Sequence, residues 1–245
     1  MVVTILVTGA ASGIGAALMP MLAGEVVGLD RNARTSVLAC DLADPHEIGS
    51  VAQMVDGPLM GIAHVAGLPG TWDAETVLAV NTLAPIALTE NLLSKLSEGA
   101  SIVTVSSVTA LRCTWTASDL DSLIDMPWAD ALSRVAGMDG ARAYELSKAA
   151  VNRWTVRMAA RLQPRGIRVN TVSPGPVQTP ILKDFKTSIG ADRLAAAETV
   201  TGRHGLPAEI SAVIAFLLSE AAQWINGADI RVDGGYHAIR AMAAS

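Results

Sequence analysis

A tyrosine and a lysine lie four residues apart in a stretch that reads as helix. Tyr144 and Lys148 belong to the run ARAYELSKAAV, which starts at residue 141. Residues four apart on an α-helix share one face. A free phenol has a pKa of about 10, and a nearby ammonium favours the phenolate and lowers that pKa. Such a pair can take a proton from an alcohol or return it to a ketone, but an isolated pair is usually a chance one on a solvated face.

A glycine-rich turn near the N-terminus could bind a phosphate group. The segment VTGAASGIG joins a β-branched run to a helical one. Glycine permits positive φ and close approach to a ligand, and a helix N-terminus offers free N–H groups and partial positive charge. The glycine spacing is neither G-x-G-x-x-G nor that of a Walker loop. The residues expected to hold the pyrophosphate of a dinucleotide are Gly9, Ser12, Gly13, Ile14 and Gly15.

An acidic residue follows at the position that binds the adenosine ribose. Asp30 ends the second predicted strand, fifteen residues after Gly15. A carboxylate there can accept hydrogen bonds from the ribose hydroxyls and repels a 2′-phosphate, so it predicts NAD(H) rather than NADP(H). Arg31 is also a cofactor-binding candidate, and it is the one residue that argues for NADP(H). The alternative, that Asp30 only caps a turn, is weakened by the glycines before it.

The elements that must position these residues alternate along the whole chain. This alternation predicts an α/β fold: a single-domain, Rossmann-like, doubly wound parallel sheet of about seven strands with helices on both faces. Such sheets bind ligands at the carboxyl ends of their strands. Strands are predicted at 3–7, 25–30, 36–41, 58–67, 100–107, 167–175 and 228–235, and helices at 13–24, from 44, and at 73–96, 141–162 and 207–219.

Composition limits the class of protein. The 245 residues, 51% of them hydrophobic, suit one α/β domain over 1–245. A net charge of −5 without a basic cluster argues against nucleic-acid binding. No apolar run reaches the roughly 18 residues of a membrane span, and the N-terminus reads as a strand and not as a signal peptide. The two cysteines are far apart in the sequence, so we expect both to be reduced and the protein to be cytoplasmic. Neither the cysteines nor the four histidines show metal spacing, so we expect no metal in the chemistry.

These motifs together resemble those of the short-chain dehydrogenase/reductase family. The resemblance covers nearly the whole chain, and it removes the reading of Tyr144 and Lys148 as a chance pair. It implies hydride transfer between an alcohol and a nicotinamide cofactor. The matching motifs are TGAASGIG at 8–15, Asp30, Asp41-Leu42, Ala66-Gly67, Asn81, Ser106-Ser107, Tyr144-x-x-x-Lys148, Ser173-Pro174-Gly175, Thr179 and Asp233-Gly234-Gly235.

The resemblance implies roles for four catalytic residues. Tyr144 is the general base and acid, and Ser107 holds the substrate oxygen. Lys148 binds the nicotinamide ribose and lowers the pKa of Tyr144, while Asn81 kinks its helix and holds a water that links Lys148 to solvent. Ser106 is the weaker candidate for the serine role, because alternation along a strand points it to the other face.

The remaining cofactor contacts are implied by the same resemblance. Val177 and Thr179 would bind the carboxamide of the nicotinamide, and Pro174 and Gly175 would pack beside its ring. Asp41 and Leu42 would flank the adenine, and Ala66 and Gly67 would pass close to the adenosine ribose.

Within the family, the sequence looks most like the bacterial 3α-hydroxysteroid dehydrogenase/carbonyl reductase subgroup. Only RNARTS separates strands 2 and 3, where most relatives carry a helix. Ser107 and Tyr144 are 37 positions apart, because a segment is inserted at about 112–140. A further departure is His64, which replaces a polar residue that usually ties neighbouring strands together, so the bonding there is in doubt.

Apolar residues near the site indicate a hydrophobic substrate. The pocket should lie beneath a loop at about 181–204 and beneath the inserted segment with its Trp115, Trp128 and Met138. We expect a cyclic secondary alcohol or ketone, such as a steroid or a terpene alcohol, although the tryptophans suit oligomer contacts equally well. The substrate-binding candidates are Ser107, Leu111, Tyr144, Ile181, Leu182 and Phe185.

The partners and the rival functions follow from the same features. We expect a homodimer or homotetramer, with the insertion shielding helix 141–162 and a contact formed through residues 207–235. One rival is an NADPH-dependent 3-oxoacyl-thioester reductase, against which Asp30 and the lack of a basic patch argue. Enoyl reductases space their tyrosine and lysine more widely. The other rival is a non-catalytic, cofactor-binding family member, which the presence of all four catalytic residues disfavours.

Overall fold

The centre of the computed structural model is a seven-stranded sheet, and the structure describes residues 4–32, 34 and 36–243. The strand order is β3-β2-β1-β4-β5-β6-β7, and each neighbouring pair is parallel. The predicted Rossmann-like fold class is thereby confirmed. The strands are β1 (Thr4–Thr8), β2 (Glu25–Asp30), β3 (Val37–Ala39), β4 (Leu59–His64), β5 (Leu96–Val105), β6 (Arg168–Pro174) and β7 (Asp229–Val232).

Helices connect the strands, and none in the described part of the chain is long and apolar enough to cross a membrane. The helices are α1 (Gly13–Leu18), α2 (Pro45–Met54), α3 (Ala74–Leu78), α4 (Ala84–Leu92), α5 (Ala117–Asp125), α6 (Trp128–Val135), α7 (Gly140–Leu162), α8 (Leu182–Ile189), α9 (Ala191–Thr201), α10 (Pro207–Leu218) and α11 (Tyr236–Ala243). Aspartates begin several of them, because the Asp44, Asp73 and Asp139 side chains accept backbone N–H groups of α2, α3 and α7.

The sheet buries both of its faces. Successive residues of a strand point to opposite sides. Accordingly Leu6 and Ile102 belong to the apolar core beneath α2, α4 and α7, whereas Val7 and Val103 belong to the core that includes residues of α1 and α10. Because the strand order runs outward in both directions from β1 and β4, the segments that follow these two strands lead to opposite halves of the sheet and leave a crevice for a ligand between them.

Several predicted element bounds were wrong. The first helix ends at Leu18 and continues only as a 3₁₀ turn, Met19–Met21, because Pro20 cannot extend an α-helix. The helix predicted over 73–96 is interrupted by a π-helical turn, Ala79–Leu83, and ends at Leu92. The loop predicted at 181–204 contains two helices, α8 and α9, which Gly190 separates at a φ of 92°.

The inserted segment folds against α7 and not over the crevice. Asp121 of α5 accepts two hydrogen bonds from Arg153, at 2.8 and 2.6 Å, and Arg157 contacts Asp125 at 2.8 Å. The expectation that the insertion's apolar residues roof the pocket is wrong, because they pack with apolar residues of α3 and α7 and do not line the cavity. These residues are Trp115, Trp128 and Met138.

Candidate active site

A cavity of about 550 Å³ opens at the carboxyl edge of the sheet. This size lies within the range of small-molecule sites. It brings together almost all of the residues predicted for the site, and only Asn81 and Leu111 are absent from its lining. The predicted residues that line it are Gly9, Ser12, Gly13, Ile14, Gly15, Asp30, Arg31, Asp41, Leu42, Ala66, Gly67, Ser107, Tyr144, Lys148, Pro174, Gly175, Val177, Thr179, Ile181, Leu182 and Phe185.

The glycine turn folds closely on itself and on the next loop. Gly9 has a φ of +68°, and a Cβ there would lie 2.8 Å from the backbone nitrogen of Ala66. A Cβ at Gly15 would overlap the carbonyl oxygen of Gly9. A Cβ at Gly13 would lie 3.3 Å from Thr179. Side chains at these positions would therefore fill or distort the cradle, which suits a dinucleotide whose phosphates must approach the backbone.

Asp30 is anchored at the end of β2 and also faces the cavity. Its Oδ2 accepts the Ala11 N–H at 3.1 Å, and its Oδ1 accepts the Asn32 N–H at 3.1 Å. A carboxylate has about four acceptor positions, so these two bonds leave capacity for ribose hydroxyls. The carboxylate can therefore bind a ligand in the cavity in addition to bonding the backbone of its own turn.

Arg31 rests against an aromatic side chain that sequence reasoning missed. Its guanidinium carbon lies 5.3 Å from the ring centre of Trp72, and both side chains line the cavity. The Trp72 loop is fixed against the start of α7, because a Cβ at Gly70 would lie 2.6 Å from the Gly140 carbonyl oxygen. A lone tryptophan in a loop gave no signal of this contact.

Ser107 is held as a hydrogen-bond donor. Its Oγ accepts the Thr109 N–H at 3.2 Å and lies 3.0 Å from Thr109 Oγ1. Where Oγ accepts both bonds, its own proton remains free to be donated. Ser106 differs, because its hydroxyl donates to the Lys148 carbonyl at 3.1 Å. Thr109, two residues after Ser107, is the positioning partner that sequence reasoning missed.

Lys148 is buried beneath the site. The residue is 3% exposed, and its Nζ donates to the Val105 carbonyl at 2.9 Å. The Nζ also lies 5.7 Å from the ring centre of Tyr144. Burial disfavours the ammonium and lowers the pKa of Lys148 to about 7.

Tyr144 does not show the lowered pKa that was expected for it. Burial raises the pKa of Tyr144 to about 12, while the nearby Ser107 hydroxyl lowers it. Burial therefore disfavours the charged form of both side chains. A lowered phenol pKa therefore depends on a further positive charge beside the ring.

Asn81 lies behind the cavity, within the π-helical turn. Its Oδ1 accepts the Leu68 N–H at 2.8 Å, and its Nδ2 donates to the Leu68 carbonyl at 3.0 Å and to Ser147 Oγ at 3.1 Å. A Cβ at Gly67 would lie 3.3 Å from Asn81 Oδ1 and 3.4 Å from Lys148 Nζ. Asn81 and Lys148 thus border the same small space, and the helix is irregular where a kink was expected.

Leu111 does not line the cavity and is 59% exposed. It belongs to the 3₁₀ turn Val108–Arg112, in which residues three apart lie above one another. Thr109 and Arg112 face the cavity, so Leu111 points away from it. The apolar character of Leu111 suggested a substrate contact, but the period of the turn decides its direction.

The side of the cavity near Tyr144 is covered by apolar side chains from later helices. The Phe185 ring meets the Tyr144 ring edge-on, with 5.2 Å between their centres. Leu194 and Ala197 of α9 and Tyr236 of α11 also line the cavity, and none of the three was predicted. The spacing of three between Leu194 and Ala197 would have indicated an inward helical face.

His64 ends β4 behind the site and bonds to a helix. It is 2% exposed, its Nε2 lies 2.8 Å from Thr89 Oγ1, and its ring meets Trp154 edge-on at 6.3 Å. This histidine ties the strand to α4, which answers the doubt raised by the sequence. Burial lowers the pKa of His64 from 6.5 to about 3.

Changing His64 should alter the response of the fold to acid. Between pH 6.5 and 3, His64 is protonated in the unfolded chain but neutral in the folded protein, so the free energy of unfolding falls as the pH falls. From pH 6.5 to 5 the loss amounts to about 2 kcal/mol. We expect His64→Asn to remove this part of the acid sensitivity, measured by urea unfolding at both pH values. His46→Asn, at an exposed position of α2, is the matched control. An equal loss of unfolding free energy between the two pH values in the wild-type protein and in His64→Asn would contradict the assignment.

Comparison with known proteins gives full-length matches. The chain is 36% identical over 94% of its length to a coniferyl-alcohol dehydrogenase of Pseudomonas sp. strain HR199, of which it covers 95%. It is 31% identical over 96% of its length to a 3-alpha-hydroxysteroid dehydrogenase/carbonyl reductase of Comamonas testosteroni, of which it covers 96%. Residues 129–237 also match a family model described as Enoyl-(Acyl carrier protein) reductase, which covers less than half of the chain.

Solved structures share the fold. The crystal structure of the 3-alpha-hydroxysteroid dehydrogenase from Pseudomonas sp. B-0831 complexed with NADH gives a TM-score of 0.80 at 32% identity, covering 97% of this chain and 98% of that one. A short chain dehydrogenase family protein from Francisella tularensis gives 0.75 at 25% identity, covering 97% of this chain and 100% of that one.

Proposed function

The chain belongs to the short-chain dehydrogenase/reductase family, and on that premise we propose that it transfers hydride between NAD(H) and a hydrophobic cyclic secondary alcohol or its ketone. Family membership makes it an oxidoreductase of alcohols and ketones that uses a nicotinamide dinucleotide. The observation that carries the proposal is one cavity with Ser107, Tyr144 and Lys148 in its lining together with the glycine turn and Asp30.

In this mechanism Tyr144 exchanges a proton with the substrate oxygen. Ser107 donates a hydrogen bond to that oxygen, since Thr109 occupies its acceptor positions. Bound NAD⁺ would accept the hydride and bring positive charge to the cavity. Positive charge favours the phenolate, which opposes the effect of burial on the pKa of Tyr144. In the reverse direction Tyr144 returns the proton to the ketone oxygen.

Lys148 and Asn81 support the proton transfer at Tyr144. The Lys148 ammonium is held by the Val105 carbonyl, and its remaining donors suit the hydroxyls of the nicotinamide ribose. Asn81 fixes the Leu68 backbone beside it and borders the space next to Lys148 in which a water would fit the predicted relay.

The preference for NAD(H) rests on two side chains. The Asp30 carboxylate lies where ribose hydroxyls would bind and would repel a 2′-phosphate. Arg31 could offset this repulsion, but its guanidinium lies over the Trp72 ring. The other dinucleotide contacts are proposed at the glycine turn, Asp41, Leu42, Ala66, Gly67, Pro174, Gly175, Val177 and Thr179, all of which line the cavity.

Removing the charge of Asp30 should weaken the preference for NAD⁺. We expect the wild-type protein to favour NAD⁺ over NADP⁺ by about 100-fold in kcat/KM, and Asp30→Asn to reduce that ratio about tenfold, because the repulsion of a 2′-phosphate is lost. Steady-state kinetics with both cofactors measure the ratio. Asp130→Asn, at an exposed position of α6, removes one acidic charge elsewhere and should leave the ratio unchanged. A wild-type preference for NADP⁺ would overturn the cofactor assignment.

The two neighbouring serines should respond differently to substitution. Ser107→Ala removes the donor to the substrate oxygen, and we expect kcat/KM to fall about 100-fold, with a loss of about 1 kcal/mol in the free energy of unfolding because Thr109 loses its acceptor. Ser106→Ala breaks a buried bond to the Lys148 carbonyl, so it should cost about 1 kcal/mol in the free energy of unfolding and far less in kcat/KM. Equal kinetic losses in both variants would contradict the assignment of Ser107.

The substrate class is supported by the apolar cover near Tyr144. Phe185 meets the Tyr144 ring, and Leu182 and Leu194 also line the cavity, so an aliphatic ring would find apolar contacts there. Relatives named for cyclopentanol and for 3-alpha-hydroxysteroids act on cyclic alcohols, which agrees with this class. Another relative is named for coniferyl alcohol, so that compound is the natural competitor in a test.

The test is a panel followed by NADH absorbance at 340 nm. The alcohols are cyclopentanol, a monoterpenol, a 3α-hydroxysteroid and coniferyl alcohol, each with NAD⁺ and NADP⁺, and the reverse reaction uses a 3-oxoacyl thioester with NADPH. Highest kcat/KM for a cyclic secondary alcohol with NAD⁺ supports the proposal. Highest kcat/KM for coniferyl alcohol or the thioester would replace the substrate class, and NADH binding without any turnover would favour a non-catalytic protein.

A further inference from the structure

A second cavity beside the first has a basic lining. It has a volume of about 470 Å³ and is lined by Arg112, Tyr236, His237, Arg240 and Ala241. Arg112 and Tyr236 also line the larger cavity, so the two spaces meet at these side chains. No acidic residue occurs among the described residues that line the second cavity.

The two arginines of this lining have donors to spare. Arg240 donates to the Tyr236 hydroxyl at 2.8 Å and forms no ion pair within the described ranges of the chain. Arg112 lies 3.8 Å from Glu145 Oε1, which is a long contact for an ion pair. A guanidinium carries five N–H donors, so both groups can bind a further acceptor. His237 is already engaged, since its Nδ1 lies 3.0 Å from Asp233 Oδ2.

One short turn connects the reacting end to the basic cavity. Ser107 caps the 3₁₀ turn Val108–Arg112, and Arg112 is its last residue. A 3₁₀ helix rises about 2 Å per residue, so the backbone of Arg112 lies about 10 Å along this turn from that of Ser107. A rigid apolar skeleton of that length could hold an oxygen at Ser107 and a second polar group between Arg112 and Arg240.

We propose that the basic cavity binds the carboxylate of a substrate whose hydroxyl or ketone lies at the opposite end of an apolar ring skeleton. The inference rests on the proposed function, because it takes Ser107 and Tyr144 as the oxygen-binding end. Arginine matches a carboxylate through paired N–H donors, and Arg112 and Arg240 approach the cavity from two different elements. The substrate class thereby narrows to hydrophobic cyclic hydroxy acids and their keto acids.

A matched pair of ligands tests this subsite. The probes are 3-oxo-5α-androstane-17β-carboxylate and its methyl ester, which share a skeleton and differ by one charge. Calorimetric titration with NAD⁺ present, which cannot reduce the ketone, gives the Kd of each, and 340 nm absorbance with NADH gives kcat/KM for their reduction. We expect the acid to bind about tenfold more tightly than the ester.

Arginine variants identify the charges responsible. Arg240→Leu and Arg112→Leu should each bring the ratio of the two Kd values close to one. Because the two arginines lie in different elements, the test still stands if one of the two variants does not fold. Arg231→Leu, an exposed arginine of β7 outside both cavities, should keep the wild-type ratio and so controls for net charge.

The outcomes separate the subsite from the reaction. Equal Kd values for acid and ester in the wild-type protein would overturn the subsite. So would a ratio of the two Kd values that is unchanged in both arginine variants. In either case the proposed reaction still holds if the ester is reduced. Tight binding of the acid, lost in the variants but without turnover of either ligand, would support the subsite and overturn the reaction. Absence of binding by both ligands would overturn the subsite.

Discussion

Replacing Tyr144 by phenylalanine should lower kcat about 1,000-fold and leave cofactor binding almost unchanged. General acid–base catalysis contributes roughly 10²–10⁴ to a rate. The other phenol in the lining of the cavity, Tyr236, is already engaged by Arg240, which donates to its hydroxyl at 2.8 Å. The substitution removes one hydroxyl and keeps the ring that meets Phe185 edge-on, so the apolar contact is preserved. The measurements are kcat for a cyclic alcohol with NAD⁺ and the Kd of NADH by fluorescence.

The phenylalanine variant should remain well folded, because it buries no unpaired polar group. Burial makes the phenolate costly, and the pKa of about 12 shows that the neutral phenol is the stable form in the protein itself. Thermal unfolding of the variant checks this point. A kcat within tenfold of wild type, with NADH binding intact, would exclude Tyr144 as the proton-transferring group.

Placing a methyl group on Gly15 should abolish cofactor binding at ordinary concentrations. A Cβ at this position would overlap the Gly9 carbonyl oxygen, and neither atom belongs to a flexible side chain. The turn must open to admit it, although it is packed against the next loop so closely that a Cβ on Gly9 would lie 2.8 Å from the Ala66 nitrogen. We expect Gly15→Ala to raise the Kd of NADH at least about 100-fold, as measured by fluorescence titration.

A matched glycine elsewhere provides the control for this substitution. Gly49 lies within α2, and a Cβ there would meet nothing within 4 Å. Gly49→Ala should leave the Kd of NADH unchanged and raise the free energy of unfolding by about 0.5–1 kcal/mol, since alanine favours a helix interior. Unaltered NADH binding in Gly15→Ala would show that the glycine turn does not hold the dinucleotide.

Local patterns predicted the fold and much of the site. The glycine turn follows β1, Asp30 ends β2 and Ser107 follows β5, so each of these residues was tied to the end of a strand. In a parallel sheet those ends meet at one edge. Tyr144 and Lys148 were tied to each other by helical spacing, and all of these side chains line one cavity.

Other features depended on contacts between distant segments, which no local pattern reports. Trp72 meets Arg31 across the crevice, and Arg112 and Tyr236 join two cavities from elements far apart in sequence. Leu111 was misplaced because the apolar type of a residue does not reveal the direction in which a 3₁₀ turn points it.

The pKa of Tyr144 shows the same limit in electrostatic terms. Spacing indicated an ammonium near the phenol, and that contact exists. The extent of burial was not apparent from the sequence, and burial moves the pKa values of Tyr144 and Lys148 in the directions that disfavour charge. The protonation of Tyr144 and Lys148 during the reaction therefore depends on the cofactor bound in the site and not on the two residues alone.

The central claim is hydride transfer from a secondary alcohol carbon to NAD⁺ with Tyr144 as the proton acceptor. Cyclopentanol that carries deuterium on its carbinol carbon tests it most directly, with mass spectrometry of the reduced cofactor as the measurement. We predict one deuterium in the NADH formed by the wild-type protein and a loss of about 1,000-fold in that rate in Tyr144→Phe. NADH formed without deuterium, or at an equal rate in the variant, would contradict the claim.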